Sequence, residues 1–321
     1  MTKAELESGY EALYRAAVAA ASAGGVRALL SLAPESKYAV ARAVEEFFGE
    51  ALIEAVERDP MAGVALYRQI RWQMREDLRR VFRSVLVKSI LRGTALVRRG
   101  RARGRTRYAG EYEPGDDFDL EATIERLLES GKRPSELSYE DVVAIKRGRK
   151  VESAVLILDT SGSMSGKKIA TAAVLTAVTA NLLSGGEVAV IAFNTEPVVL
   201  KGADEEVNVE ELVGEILDLS PVGYTNLRAA LEMAASEAGR MKSRRRVFIL
   251  VTDGLYNVGG DPRPAASRLR GLRIFRVPGR GVWSPVGERI CKELSLVSDG
   301  SLTTVERVWD IPRVLRKILP G

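Results

Sequence analysis

Apolar and polar positions change their rhythm twice along this chain. Through about residue 98 the apolar positions recur at helical spacing, in sequence rich in Ala, Leu, Glu and Arg, with breaks at Gly24-Gly25, Pro34 and Asp59-Pro60. Leu66, Ile70, Met74, Leu78, Val81 and Val85 form one apolar stripe, and Arg68, Arg71, Arg75, Arg79 and Arg83 form a second on another face. From Val151 short apolar runs alternate with helical stretches. Strands are predicted at Ala154–Leu158, Val188–Phe193, Val247–Val251, Arg273–Val277 and Leu302–Val305. Helices are predicted at Lys167–Leu183, Leu227–Ala238, Pro264–Leu269, Glu288–Val297 and Ile311–Ile318. Such alternation predicts an α/β domain, a doubly wound and mostly parallel sheet covered by helices on both faces. Val198–Leu200 reads as a short antiparallel edge strand.

Between these parts lies RRGRARGRTR (residues 98–107), followed at once by the acidic EYEPGDDFDLE. The charge reversal reads as a linker. It carries a short helix, Leu120 to Leu128, capped by Asp119 and ended by Gly131, and a further cap at Ser138 and Asp141 before Val142–Ile145. The expected organisation is a helical region at 1–98, a charged linker with short helices at 99–150 and an α/β domain at 151–321.

Charge sharpens that division. Residues 1–110 hold 20 Lys and Arg against 12 Asp and Glu, whereas residues 111–321 hold 28 against 31. The two parts are therefore expected to meet different partners. Arg outnumbers Lys three to one and Asn, Gln, Cys and Met are scarce, the bias of a thermophile or of a GC-rich genome. No apolar run reaches bilayer length, and the acids in Met-Thr-Lys-Ala-Glu do not suit a signal peptide, so a soluble, cytoplasmic protein is expected.

The chain has no histidine and one cysteine, Cys291. That excludes Ser-His-Asp and Cys-His catalysis, HExxH metallohydrolases, a disulfide framework and cysteine-rich zinc sites. Any metal must be a hard cation held by oxygen. Cys291 shares an apolar helical face with Ile290 and Leu294 and reads as core.

Oxygen donors gather where a doubly wound sheet binds its ligands, at the carboxyl ends of the strands. Asp159, Ser161 and Ser163 close the first strand in LILDTSGSM. Thr225 lies in PVGYTNL just before a helix, and Asp253 ends the strand of LVTDG. Two carboxylates and three hydroxyls suit Mg²⁺, with Mn²⁺ or Ca²⁺ as alternatives. A site so poor in anions stays electrophilic and should accept a carboxylate from a partner. Gly162 to Lys168 imitates a phosphate-binding Walker A loop but fails it. Three residues separate its glycines where four are needed, and Lys168 takes the place of the Ser or Thr. A metallohydrolase would need an Asp or Glu base, and none is spaced for the task.

DTSGSM, the threonine of GYTNL and the aspartate of VTDG resemble the metal-ion-dependent adhesion site of von Willebrand factor A domains, over about half the chain. The resemblance implies that Ser161, Ser163 and Thr225 ligate the metal directly, and Asp159 and Asp253 directly or through water. It also implies a protein-binding module and not an enzyme. Members of that family commonly carry two glycines before the threonine, and here Tyr224 stands in the second place. PGDDFDLEATIERLL…GKRPSEL followed by IKRGRK is similar to the von Willebrand A subunits that accompany MoxR- and chelatase-type AAA ATPases. The expected role is an adaptor for such an ATPase or its client, binding a partner Asp or Glu. Tyr224 is the better candidate for partner contact, ahead of Trp283. The competing expectation is a nucleic-acid or ribonucleoprotein component using the Arg-rich helical half, the arginine stripe together with Arg101, Arg103 and Arg105. No aromatics interleave those arginines, and a solvated face or docking to an acidic protein surface is favoured.

Overall fold

The computed structural model describes residues 3–95, 107–111, 117–147, 153–162, 167–183, 186–206, 208–220, 222–278 and 284–318. Arg101, Arg103, Arg105, Ser163 and Trp283 lie outside these residues. So does most of the arginine-rich stretch.

The first part is helical, as its periodicity predicts: α1 (Lys3–Ser22), α2 (Val26–Leu32), α3 (Lys37–Glu46), α4 (Glu50–Arg58), α5 (Pro60–Ile70) and α6 (Glu76–Ala95). Local chemistry sets several starts. The Ser36 hydroxyl accepts from the Ala39 amide, and Asp59 accepts from Ala62 with Pro60 in the first helical position. The long apolar stripe does not lie on one helix. The chain turns at residues 71–75, so Leu66 and Ile70 are buried on α5, Leu78 and Val85 pack partly on α6, and Val81 is exposed.

Residues 107–147 are more than a linker with helices. β1 (Arg107–Glu111), β2 (Asp117–Phe118) and, after α7 (Leu120–Ser130), β3 (Val143–Arg147) make an antiparallel sheet in the order β1-β3-β2. Asp119 caps α7 and Gly131 ends it at φ 69°, as predicted. The helix expected at Val142–Ile145 is instead strand β3. Asp141 accepts from Lys132 Nζ and from the Ser138 hydroxyl (both 2.7 Å) and the Ser138 amide (3.0 Å), closing a turn and not a helix cap. Lys132 first, then Ser138, holds the Asp141 carboxyl well below the usual range.

The remainder alternates: β4 (Ser153–Asp159), α8 (Lys167–Leu182), β5 (Glu187–Phe193), β6 (Pro197–Lys201), α9 (Val209–Asp218), α10 (Leu227–Arg240), β7 (Arg246–Thr252), α11 (Arg263–Ala266), β8 (Arg273–Arg276), α12 (Ser284–Val297), β9 (Ser301–Thr304) and α13 (Ile311–Ile318). The sheet runs β6-β5-β4-β7-β8-β9. Every pairing is parallel except that of β6, the predicted antiparallel edge. This is the doubly wound sheet that the alternation predicts. Helix α9 was not among the predicted elements.

Because side chains alternate across a strand, each strand feeds two cores. Val155, Ile157, Ile191 and Leu250 face α10 and α12, with Leu231, Ala234, Cys291 and Leu294. Ala154, Leu156, Val190 and Ile249 face the other way, into a core continuous with Leu29, Leu66, Phe82, Leu86 and Ile90 of the helical region. Helix α8 is sandwiched between that region and the sheet, and its residues 169–180 are buried all round. That location explains a helix of small and apolar residues, with only threonines among its buried polar groups, on every face.

The arginine stripe is solvated only in part, since Arg75 is exposed whereas Arg68 and Arg71 reach into the fold. Arg71 is 3% exposed. Its guanidinium donates to the Leu217 carbonyl (3.0 Å), the Leu219 carbonyl (3.3 Å) and the Ser220 hydroxyl (3.0 Å). Arg68 donates to the same two carbonyls at 3.1 and 2.9 Å. Tyr67 Oη donates to Asp218 Oδ1 (2.6 Å), and Arg83 pairs with Asp218 Oδ2. The helical region therefore satisfies the end of α9, whose last carbonyls lack partners within the helix. Burial, then the neighbouring Arg71, lowers Arg68 to about 10, and burial lowers Arg71 as well. No helix among the described residues is long and apolar enough to cross a membrane.

Candidate metal centre

Asp159 ends the central strand, with β5 and β7 on either side. It is wholly buried. Its Oδ1 accepts from the Ser161 amide (3.0 Å) and hydroxyl (2.6 Å), and its Oδ2 accepts from Thr252 Oγ1 (2.6 Å). Thr160 fastens the turn by donating its amide (2.7 Å) and hydroxyl (2.9 Å) to the Phe193 carbonyl. The donors to Asp159 are thus neutral. Burial pushes its carboxyl up to about 6. The Ser161 and Thr252 hydrogen bonds oppose that rise, and the charge of Asp253 adds to it.

Asp253 follows β7 one strand away and is also buried; its Oδ1 accepts from the Leu255 amide at 3.0 Å. Its turn is crowded. Gly254 takes φ +86°, and a Cβ on Gly287, at the start of α12, would sit 2.2 Å from the Asp253 carbonyl oxygen. Gly287→Ala should therefore move this turn. We expect the melting temperature to fall, read by a thermal melt.

Thr225, buried in the third loop, is clamped by Asn257. The Thr225 amide donates to Asn257 Oδ1 (2.8 Å), and its carbonyl accepts from the Asn257 amide (3.2 Å). Asn257 lies four residues beyond Asp253, so the two loops are tied together. A Cβ on Gly162 would lie 3.8 Å from the Gly223 carbonyl, which brings the first loop against the same place. The single glycine before Tyr224 suffices: Gly223 takes φ +80°, where its hydrogen faces Thr195 Oγ1, and Tyr224 keeps a negative φ while its amide donates to that hydroxyl. Tyr224 itself projects into solvent, 60% exposed.

Asp159, Ser161, Thr225 and Asp253 thus lie in three converging loops, while Ser163 is outside the described residues. The sequence reading missed Thr252 and Asn257. Thr252 had a signal, a hydroxyl directly before the strand-end Asp253. Asn257 had none, because its work is done across loops. Among the described residues no group of three or more His, Cys, Asp or Glu gathers, in keeping with a set of two carboxylates and hydroxyls. Such a set fits a hard divalent cation: a buried carboxylate held by neutral donors, with a second carboxylate beside it, is relieved by positive charge. Cys291 Sγ lies behind the Asp253 turn, buried as predicted, and burial pushes its thiol up to about 12, which makes it inert.

Residues 154–255 match the family model of the von Willebrand factor type A domain. The matched span holds Asp159, Ser161, Thr225 and Asp253. Among solved structures, an aerotolerance-related membrane protein from Bacteroides fragilis is 17% identical, over 52% of this chain and 98% of that one, with a TM-score of 0.41. A von Willebrand factor type A protein from Catenulispora acidiphila is 18% identical, over 54% and 43%, with a TM-score of 0.42. Proximal thread matrix protein 1 from the mussel byssus, solved with a zinc-occupied MIDAS motif, is 17% identical, over 53% and 47%, with a TM-score of 0.40. This chain spans less than half the length of the latter two. No curated protein matches it.

Proposed function

We propose that this protein is a non-catalytic, divalent-cation-dependent protein-binding module that takes an Asp or Glu carboxylate of a partner. The observation that carries the reading is the fully buried Asp159, held among the described residues by hydroxyl and amide donors beside Asp253, where three loops meet. Ser161, Ser163 and Thr225 would hold the cation directly, and Asp159 and Asp253 directly or through water. Mg²⁺ suits the oxygen donors best, with Mn²⁺ or Ca²⁺ as substitutes. When bound, the cation supplies an electrophilic coordination position open to a partner carboxylate. Around it Asn257 keeps Thr225 in place, Thr252 orients Asp159, and exposed Tyr224 offers an aromatic contact beside the position.

The upstream resemblance to von Willebrand A subunits of MoxR-type systems suggests an AAA ATPase or its client as that partner. Of the arginine stripe, Arg68, Arg71 and Arg83 are engaged by residues 217–220, which leaves the nucleic-acid reading to Arg101, Arg103 and Arg105.

The test is calorimetric titration of Mg²⁺ and Mn²⁺ into metal-free protein, with Asp159→Ala alongside. Saturable binding that the variant loses supports the reading. Binding unchanged in the variant places the ion elsewhere and sinks it.

A further inference from the structure

Among the described residues, α7 and the segments flanking it turn much of their apolar surface outward. Helix α7 packs Thr123 and Leu127 inward, with β3 as its main neighbour. Its other apolar residues are left out: Leu120 is 62% exposed, Ile124 47% and Leu128 76%. At intervals of four, these three form one row along the helix. Phe118 just before the helix, and Leu137 and Tyr139 after it, are exposed as well. Scattered apolar residues on a surface need no explanation, but six within one small unit do.

Charge on the same helix indicates what covers them. Glu121, Glu125 and Glu129 are all exposed and form a second row. Glu121 stands three residues from Ile124, and Glu125 three from Leu128, so the acidic row borders the apolar one along its length. Two cations of the same unit are engaged elsewhere. Arg126 donates to the Glu140 carbonyl, and Lys132 is paired with Asp141.

We infer that α7 and its flanking residues are a second docking surface, whose occupant is a basic amphipathic helix of a partner protein. The partner's apolar seam lies on Leu120, Ile124 and Leu128, and its Lys or Arg residues lie along Glu121, Glu125 and Glu129. This surface shares no residue with the cation site, so its occupation is independent of metal.

The probe is a labelled helical peptide of about fifteen residues, long enough for four turns, with leucine at every third or fourth position and lysine elsewhere. Its twin carries glutamate for lysine. Fluorescence anisotropy with the full chain should show the lysine peptide binding at least tenfold more tightly than the twin, equally in Mg²⁺ and in EDTA. Ile124→Glu with Leu128→Glu should remove the binding. Glu121→Lys, Glu125→Lys and Glu129→Lys together should invert the preference toward the glutamate peptide. That triple variant alters only exposed side chains, so it remains informative if the apolar pair variant misfolds, and a thermal melt reports folding for both. Equal binding of the two peptides, or binding that the triple variant leaves unchanged, overturns the inference. So does a wild-type dimer in sedimentation that the Ile124 and Leu128 variant converts to monomer, because the surface would then belong to a second copy of this chain.

Discussion

Asp159→Asn is expected to make the metal-free protein more stable while abolishing its cation binding. In the fold the Asp159 carboxyl titrates at about 6, because burial outweighs the Ser161 and Thr252 hydrogen bonds. In the unfolded chain it titrates near the ordinary ~3.9. A raised native value means that folding favours the protonated form. Below about pH 4 both states carry the proton and the group costs nothing. As pH rises from there through 6 the unfolded chain ionises first, and native stability is lost, by up to ~3 kcal/mol above the native value. Asparagine never ionises, and its amide still accepts from Ser161 while its NH₂ reaches Thr252 as a donor. In EDTA at pH 8 the variant should therefore melt above the wild type, by about 1–3 kcal/mol of stability after imperfect repairing of the hydrogen bonds. The advantage should shrink as pH is lowered through 6 and be nearly gone at about 4. On the proposed function, saturating Mg²⁺ should reverse the order, since a ligand that binds only the native state stabilises only the protein able to bind it. Melts with and without Mg²⁺ at the two pH values decide the matter. A variant no more stable than wild type in EDTA at pH 8 would show that the buried charge is already compensated. The same proton competition predicts that wild-type Mg²⁺ affinity weakens as pH falls below about 6, readable by titration across that range.

Asp218→Ala is the second large effect. This residue, 32% exposed, accepts from Tyr67 and Arg83 and lies 3.6 Å from the Arg71 guanidinium. Its removal leaves the buried Arg71 charge without a carboxylate and the Tyr67 hydroxyl without its acceptor. Breaking a fully buried pair costs about 3–5 kcal/mol, and solvent at Asp218 reduces that to about 2–3. Arg83→Ala, which removes a half-buried partner of the same carboxylate, should cost about 1 kcal/mol. Urea denaturation of both variants compares them directly; equal midpoints would mean that Arg71 does not depend on Asp218. The same variant should weaken cation binding a few-fold, because residues 217–220 lead directly into the loop of Thr225.

What the chain could reveal without its fold was whatever repeats locally or ends an element. Strand and helix alternate from residue 153 because apolar periodicity changes with the element, and this was legible down to the edge strand β6. The cap at Asp119, the stop at Gly131, and the strand-end positions of Asp159 and Asp253 were legible for the same reason: capping, turns and strand ends are set by neighbours in sequence. The start of helix α9 is legible too, in Asn208 followed by Glu210 and Glu211.

Contacts between elements decided the rest. Val143–Arg147 is short and apolar at one end, and only its pairing with β1 and β2 makes it a strand instead of a helix. Arg71 has the same spacing as the exposed Arg75, and it is buried because the unsatisfied carbonyls at the end of α9 happen to face it. Periodicity names the faces of a helix but not what each face meets. Thr252 and Asn257 become parts of the site by reaching residues 93 and 32 positions away. The position of Asp159, deep enough for its carboxyl to resist ionising, is likewise a property of the layers packed around β4. The residue types set what chemistry the strand ends could hold; the packing set how far water is kept from it, and so how strongly a cation is called for.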